Sequence, residues 1–124
     1  MSGFLLDVSA EGFKTQSDIG TNAISVKLIG NADMDVLEAM GAFVQELHEL
    51  AVRNGVATVV VDIRDLYFMN SYCLRQIVGW LTSLSEMSPE ARYTIRFLTN
   101  QNLPWQKRSL ASLKHLAEGS IEIV

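Results

Sequence analysis

Apolar residues follow two different spacings along the first half of the chain. Residues 4–10 and 23–29 are rich in β-forming side chains, and the glycine, aspartate and asparagine residues between them are typical of turns. From Asp33 to Ala51, apolar side chains instead recur every three or four positions, which predicts an amphipathic helix. Asn54 and Gly55 are expected to end it, because glycine readily adopts the left-handed conformation that follows helices. The pattern predicts two antiparallel strands followed by a helix.

The second half of the chain alternates strand and helix segments. Residues 56–63 are nearly all apolar and β-branched, which is typical of a parallel strand with helices above and below it. A polar loop over 64–70 leads to a second helix, and a strand follows at 92–98. A third helix begins near Pro104 and ends at Gly119, before a last strand at 121–124. The inward stripe of the second helix is predicted to be Leu74, Ile77, Val78, Leu81 and Leu84.

The resulting order, ββαβαβαβ, defines the fold class. Strands that alternate with helices form right-handed crossovers, so the chain is predicted to be a single α/β domain over residues 1–124. Its sheet is predicted to be five-stranded and mixed but mostly parallel, with the first strand antiparallel at an edge and helices packed on it. Ligands and partners of such sheets meet the loops at the carboxyl ends of the strands. A functional site is therefore expected at loops 30–35, 64–71 and 99–104.

Composition and charge exclude several classes of function. The 124 residues carry 10 Lys and Arg against 14 Asp and Glu, a net charge of −4, which disfavours nucleic acid as a partner. The single cysteine cannot form an internal disulfide and is typical of the reducing cytoplasm. No stretch approaches the roughly 18 consecutive apolar residues of a membrane span. Neither a cysteine–histidine metal cluster nor a glycine-rich phosphate loop is present, so no metal or cofactor is expected.

Catalytic chemistry has one candidate, Cys73. It falls in the first turn of the second helix, where the helix dipole is expected to lower the thiol pKa and stabilise a thiolate nucleophile. The alternative interpretation is a small buried side chain, as free cysteines often are. His48 and His115 lie within predicted helices, away from the loops, and are interpreted as packing or surface residues. The sequence favours a binding protein over a thiol-dependent enzyme.

Asn70 and Ser71 stand where the second helix begins. Either side chain can cap the helix by accepting a hydrogen bond from one of its first backbone N–H groups. Ser71 can also be a phosphorylation site, because a phosphate is stabilised at the positive end of a helix. Such a phosphate would change the charge of an exposed surface while leaving the fold unchanged. Spacing alone leaves both interpretations open.

The segment from Val59 to Ser71, VVVDIRDLYFMNS, resembles the core motif of STAS domains, the sulphate-transporter and anti-sigma-factor-antagonist family. In bacterial members of that family, an apolar strand leads through a short loop into Phe-Met-Asp-Ser-Ser-Gly-Leu and a helix. The turn over residues 28–33 and the predicted helix over 103–116 also match positions of that family. The resemblance covers nearly the whole chain and implies the same element order.

This resemblance implies a cytoplasmic binding module of a partner-switching pathway. Family members capture an anti-sigma factor, or a related histidine-kinase-like serine kinase, until the kinase phosphorylates the serine after the aspartate. A PPM-type phosphatase reverses the step. Ser71 matches that phosphoacceptor, whereas Asn70, Tyr72 and Cys73 replace the family's aspartate, second serine and glycine. The candidate partner-binding residues are Asn31, Asp33, Arg64, Asn70, Tyr72 and Arg75.

An unregulated binding module is the alternative within the same family. In that case Ser71 serves only as a cap, and Ser71→Ala loses about 1 kcal/mol of stability while partner binding persists. The switch predicts instead that modification of Ser71 changes partner affinity.

Charge is distributed unevenly along the chain. Residues 30–50 contain five acids and no Lys or Arg, whereas residues 92–115 contain five basic residues and no acid. Two solvated helix faces would explain this asymmetry. The other hypothesis is that complementary charge orients a partner kinase or a second copy of the chain, as in a homodimer.

Overall fold

One mixed sheet forms the centre of the structure, a computed structural model that describes residue 5 and residues 7–124. The strands are β1 (Ser9–Ala10), β2 (Phe13–Ile19), β3 (Ala23–Ala32), β4 (Thr58–Asp62), β5 (Leu66–Met69), β6 (Thr94–Leu98) and β7 (Ile121–Ile123). Six of them lie side by side in the order β1-β2-β3-β4-β6-β7, and β5 pairs with β3 outside this order. The pairs β1–β2 and β2–β3 are antiparallel, whereas all the others are parallel. The predicted α/β class with a mostly parallel sheet is therefore confirmed.

Three helices connect the parallel strands. They are α1 (Leu37–Asn54), α2 (Ser71–Ser85) and α3 (Trp105–Ala111), with short 3-10 turns at Met34–Val36, Pro89–Ala91 and Lys114–Ala117. Helix α1 ends where predicted, because Gly55 takes the left-handed conformation at φ 61° and its N–H caps the last carbonyls. The third helix is shorter than predicted, since residues 114–117 form a separate 3-10 turn. In the described residues, no helix combines the length and apolar character needed to span a bilayer.

The predicted number of strands is wrong: the described residues contain seven strands where five were predicted. Strand β2 occupies a segment interpreted as a turn, because two of its four inward positions, Thr15 and Ser17, are polar and interrupt the apolar alternation. The Asp7 carboxylate satisfies them by accepting from Thr15 Oγ1 at 2.9 Å and from Ser17 N at 3.2 Å. The predicted first strand, 4–10, lies partly outside the described residues, and of its described part Ser9–Ala10 forms a strand.

The prediction that helices cover both faces of the sheet is also wrong. Val59 and Val61 of β4 are buried in one core with α1 and α2, whereas Val60 and Asp62 point to the opposite face and are only half-buried. That opposite face carries solvent-exposed polar side chains such as Ser25 and Arg96. The three helices thus form one layer on one face, and within the described residues the other face is open.

A close backbone contact at Gly30 places β5 at the end of β3. Gly30 has φ 104°, and a Cβ atom there would lie 2.0 Å from the Gly12 carbonyl oxygen, so only glycine fits. The β3–β5 pairing shifts register at this point, which directs the last residues of β3 toward Phe68 and Met69. This irregularity brings the end of β3 beside the start of α2.

Helix α3 is attached to the outer side of β5 by two side chains. Gln106 is fully buried, and its amide donates to the carbonyls of Ile63 and Leu66 at 2.6 and 2.8 Å. Trp105 Nε1 donates to the Tyr67 carbonyl at 3.0 Å. These bonds satisfy carbonyls of β5 and of the loop before it, so α3 supports the segment that leads into α2.

Candidate functional site

The start of α2 is tied to the end of β3 through Asn70 and Asp33. Asn70 Oδ1 accepts a hydrogen bond from Cys73 N at 2.8 Å, and Asn70 N donates to the Ala32 carbonyl at 2.9 Å. Asp33 Oδ1 accepts from Met34 N at 2.8 Å and from Asn70 Nδ2 at 3.4 Å. Asn70 is therefore the cap of α2, which leaves the hydroxyl of Ser71 without a capping role.

Ser71 is the first residue of α2 and is exposed to solvent. Within the described residues its hydroxyl has no hydrogen-bond partner, so it is accessible to a modifying enzyme. Tyr72, next along the helix, is 50% exposed, and its ring lies 5.1 Å from the Arg75 guanidinium carbon. Arg75 is four residues after Ser71 and thus on the same side of the helix. The positive end of the helix and a nearby guanidinium both favour negative charge at Ser71.

Four large apolar side chains are exposed in the segments that meet near this serine. Met34, Tyr67, Phe68 and Tyr72 are 52%, 55%, 46% and 50% exposed, and they belong to segments joined at the start of α2. We call this set the aromatic rim. Large apolar side chains exposed as a group are typical of surfaces that bind another protein. The rim extends the predicted site, because sequence analysis had singled out only Tyr72 among its four residues.

The structure brings five of the six candidate partner-binding residues together. Asn31 pairs in register with Phe68, and Asp33, Asn70, Tyr72 and Arg75 lie at the start of α2 as described above. Arg64 lies apart from them. Its guanidinium forms two hydrogen bonds with the Asp62 carboxylate at 2.8 and 3.0 Å, and these bonds lower the pKa of Asp62. Arg64 is therefore directed toward the Asp62 side of the sheet rather than toward Ser71.

Cys73 is buried beneath the start of the helix. Its thiol donates to the Asp33 carbonyl at 3.6 Å, and the side chain has no exposed surface. Burial, followed by the negative charge of Asp33, raises the pKa of the Cys73 thiol. This direction is opposite to the one that the helix dipole alone predicted. The geometry favours the packing interpretation of this residue.

Cys73 should accordingly react slowly with thiol reagents. At pH 7 its raised pKa and its burial should make alkylation by iodoacetamide roughly tenfold or more slower than in the urea-unfolded chain. The reaction is followed by mass spectrometry in both states, with free cysteine as the reference. A folded-state rate equal to or above that of free cysteine would contradict this assignment and revive the thiol-enzyme alternative.

Comparison with solved structures finds a similar fold in anti-sigma factor antagonists. No family model and no curated protein matches the sequence. An anti-sigma factor antagonist from Mycobacterium paratuberculosis has a TM-score of 0.61 at 13% identity, over 92% of this chain and 88% of that one. The anti-sigma factor antagonist SpoIIAA, unphosphorylated, gives 0.60 at 14% identity, over 89% and 87%. The Bacillus cell fate determinant SpoIIAA, phosphorylated, gives 0.56 at 19% identity, over 89% and 90%.

These similarities define the fold. The predicted STAS-like fold is confirmed, because the matched structures cover most of this chain and are themselves covered over most of their length. The sequence identities are low, so the role of each residue in this chain must be argued from its own geometry.

Proposed function

We propose that this chain is a cytoplasmic regulatory module that binds a partner protein through the aromatic rim, and that phosphorylation of Ser71 releases the partner. The observation that carries the proposal is the exposed, unbonded hydroxyl of Ser71 at the first position of α2, beside that rim. One of the structural neighbours, SpoIIAA, is known in both phosphorylated and unphosphorylated forms. The partner that fits is an anti-sigma factor of the histidine-kinase-like type, and a PPM-type phosphatase would restore the serine.

Charge explains how phosphorylation would act. The kinase transfers the γ-phosphoryl group of ATP to Ser71 Oγ and releases ADP, which adds a charge of about −1.5 to −2 at neutral pH. Asn70 already caps Cys73 N, so the phosphate meets the remaining N–H groups of the first turn and does not compete with the cap. The fold is therefore retained. A partner seated on the rim would have to bury this charge, and burying an unpaired charge is costly.

Arg75 is the residue within the site that responds to the phosphate. It lies over Tyr72 in the unmodified protein, a contact that contributes about 0.5–1 kcal/mol at an exposed site. A charge-assisted bond to a phosphate is stronger, so Arg75 turns from the ring of Tyr72 to phosphoserine 71. Phosphorylation thus alters the position of Arg75 and the exposure of Tyr72 as well as the charge of Ser71.

The proposal is tested with the histidine-kinase-like ATPases of the source organism as purified probes. We expect one of them to bind the unmodified chain in calorimetry and, with ATP and magnesium, to modify Ser71 as located by phosphopeptide mapping. Ser71→Glu should weaken binding at least tenfold, because a like or unpaired charge in an interface costs more than 1.4 kcal/mol.

Ser88→Glu is the matched control, since Ser88 is an exposed serine that precedes the 3-10 turn beyond the other end of α2. Ser71→Ala should bind like the wild-type chain and escape regulation. Equal affinity for Ser71→Glu and Ser88→Glu, or phosphate found at other positions only, would overturn the switch. Tight binding without any modification would favour the unregulated module, in which Tyr72 and Asn70 stand where the family motif has serine and aspartate.

A further inference from the structure

Several charged residues on and beside the sheet are paired within the described part of the chain, whereas the acids of α1 and the basic residues of α3 are not. Ion pairs join Lys27 to Asp65 at 3.1 Å, Arg64 to Asp62 at 2.8 Å and Arg96 to Glu122 at 2.9 Å. Among residues 7–124, no ion pair involves the acids of α1 or the basic residues of α3 and the turn after it. The residues of these elements without an ion pair include Glu38, Glu46, Glu49, Lys107, Arg108 and Lys114. These charges are available to another molecule.

The two unpaired sets lie at opposite edges of the helix layer. Helix α2 packs against α1 on one side and against the turn Lys114–Ala117 on the other, and α3 contacts β7 at the far end of the sheet. Helix α1 follows β3 and leads into β4, toward the other end of the sheet. The acidic and basic edges are therefore separated by α2 and cannot neutralise each other within one copy.

Each edge has a small residue at its centre. On α1, Glu38, Ala42, Glu46 and Glu49 are exposed and are spaced by four, four and three residues, so they share one helix face about 16 Å long. We call this the acidic stripe. On the other edge, Lys107, Arg108, Ala111 and Lys114 are exposed, and we call them the basic patch. Alanine at the centre of both surfaces lets two helices approach closely while the longer charged side chains meet around it.

We infer that copies of this chain associate head to tail, with the acidic stripe of one copy against the basic patch of the next. Like edges repel each other, so a two-fold dimer through either edge alone is disfavoured. A heterologous contact leaves one acidic and one basic edge unoccupied at its ends, and it therefore builds rings or short chains. Ser71 and the aromatic rim contribute none of these charges, so this association is independent of the proposed phosphorylation switch.

Salt dependence and charge reversal test the inference. Sedimentation equilibrium of the wild-type chain at about 0.02 M salt should give an average mass above the 13.8 kDa of one copy. Raising the salt to about 0.5 M should return it to one copy, because the screening length falls well below 10 Å. Glu46→Lys with Glu49→Lys, and separately Lys107→Glu with Arg108→Glu, should each weaken association at least tenfold.

A one-to-one mixture of the two reversed variants is the decisive measurement. One variant then carries two basic edges and the other two acidic edges, so association should return in the mixture and alternate between them. Glu11→Lys with Glu90→Lys is the control, since both acids are exposed and lie outside α1. Circular dichroism confirms that each variant is folded. A wild-type chain that stays at 13.8 kDa at low salt, or a mixture that stays at one copy, would overturn the inference.

Discussion

Replacing Gln106 with leucine should lower the free energy of unfolding by about 3 kcal/mol or more. The side chain has no exposed surface and forms three hydrogen bonds. Its Oε1 accepts from Asn100 N at 2.7 Å, and its Nε2 donates to the carbonyls of Ile63 and Leu66. Leucine has a similar volume but removes all three bonds. The Ile63 carbonyl still accepts from Leu66 N at 3.0 Å, whereas the Asn100 N–H and the Leu66 carbonyl lose the Gln106 amide, at about 1–3 kcal/mol for each group left without a partner. A loss of this size is a large part of the roughly 5–15 kcal/mol that stabilises a domain.

Urea unfolding followed by tryptophan fluorescence measures this loss. Gln101→Leu is the matched control, because Gln101 lies in the turn just before α3 and is exposed, and its replacement should change stability by less than about 0.5 kcal/mol. If the two variants unfolded at the same urea concentration, Gln106 would not be the residue that anchors α3. The loss should also reach the site, because Trp105 next to Gln106 holds the carbonyl of Tyr67.

The parts of the fold with one-sided apolar periodicity could be predicted from the sequence. The stripe of α1 is buried as expected, including Met40, Phe43 and Leu47, and that of α2 is buried at Ile77, Leu81 and Leu84. Gln106 broke the same pattern in α3, since a buried polar residue looks like a surface position until its partners are known. Only the tertiary structure shows the three backbone groups that make its burial favourable.

Strands were harder to predict because their partners lie far away in the sequence. In β4, Val60 is apolar yet faces the open side of the sheet, and this suggested a second helix layer that the described residues do not contain. Strand β5 has four residues and exists through its pairing with β3, which depends on the close approach of Gly30 to Gly12. No local pattern encodes such a contact.

At the candidate site, the residues at the start of α2 could be predicted from the sequence, but the exposed side chains around them could not. The convergence of Asn70 and Asp33 at the start of α2 follows from loops that share one edge of the sheet. Arg64 belongs to those loops too, but Asp62 is two residues away and holds its guanidinium. Exposure of Tyr67 and Phe68 depends on the pairing of β5, so the aromatic rim could be found only in the structure.

Tyr93→Phe should remove the centre of a hydrogen-bonded chain that joins α1 and α2 to the residue before β6. Trp80 Nε1 donates to the Tyr93 oxygen at 2.7 Å, and the Tyr93 hydroxyl and His48 Nδ1 share a hydrogen bond of 2.6 Å. Burial lowers the pKa of His48 despite the opposing charge of Glu49. Phenylalanine leaves the buried N–H of Trp80 without a partner. At pH 8 the variant should be less stable by about 1–3 kcal/mol.

The same substitution should change how stability depends on alkaline pH. Burial raises the pKa of Tyr93 to about 12, although the bond from Trp80 lowers it slightly, whereas an unfolded tyrosine ionises near 10. Between these values the unfolded chain has lost the proton and the folded chain retains it, so stability falls as pH rises, by about 3 kcal/mol in all. Tyr93→Phe lacks this group, so the stability difference between wild type and variant should shrink from pH 8 toward pH 12.

Urea unfolding at several pH values measures that difference, and absorbance at 295 nm follows the ionisation of the folded protein. Tyr67→Phe is the matched control, because Tyr67 is 55% exposed and the removal of its hydroxyl should change stability by less than about 0.5 kcal/mol. On the acid side, the unfolded chain protonates His48 first, since its pKa is lowered in the folded state, and wild-type stability should begin to fall as pH drops through about 6.5. A difference between wild type and Tyr93→Phe that stays constant from pH 8 to 12 would show that Tyr93 ionises equally well in both states, and the buried chain would then have to be open to water.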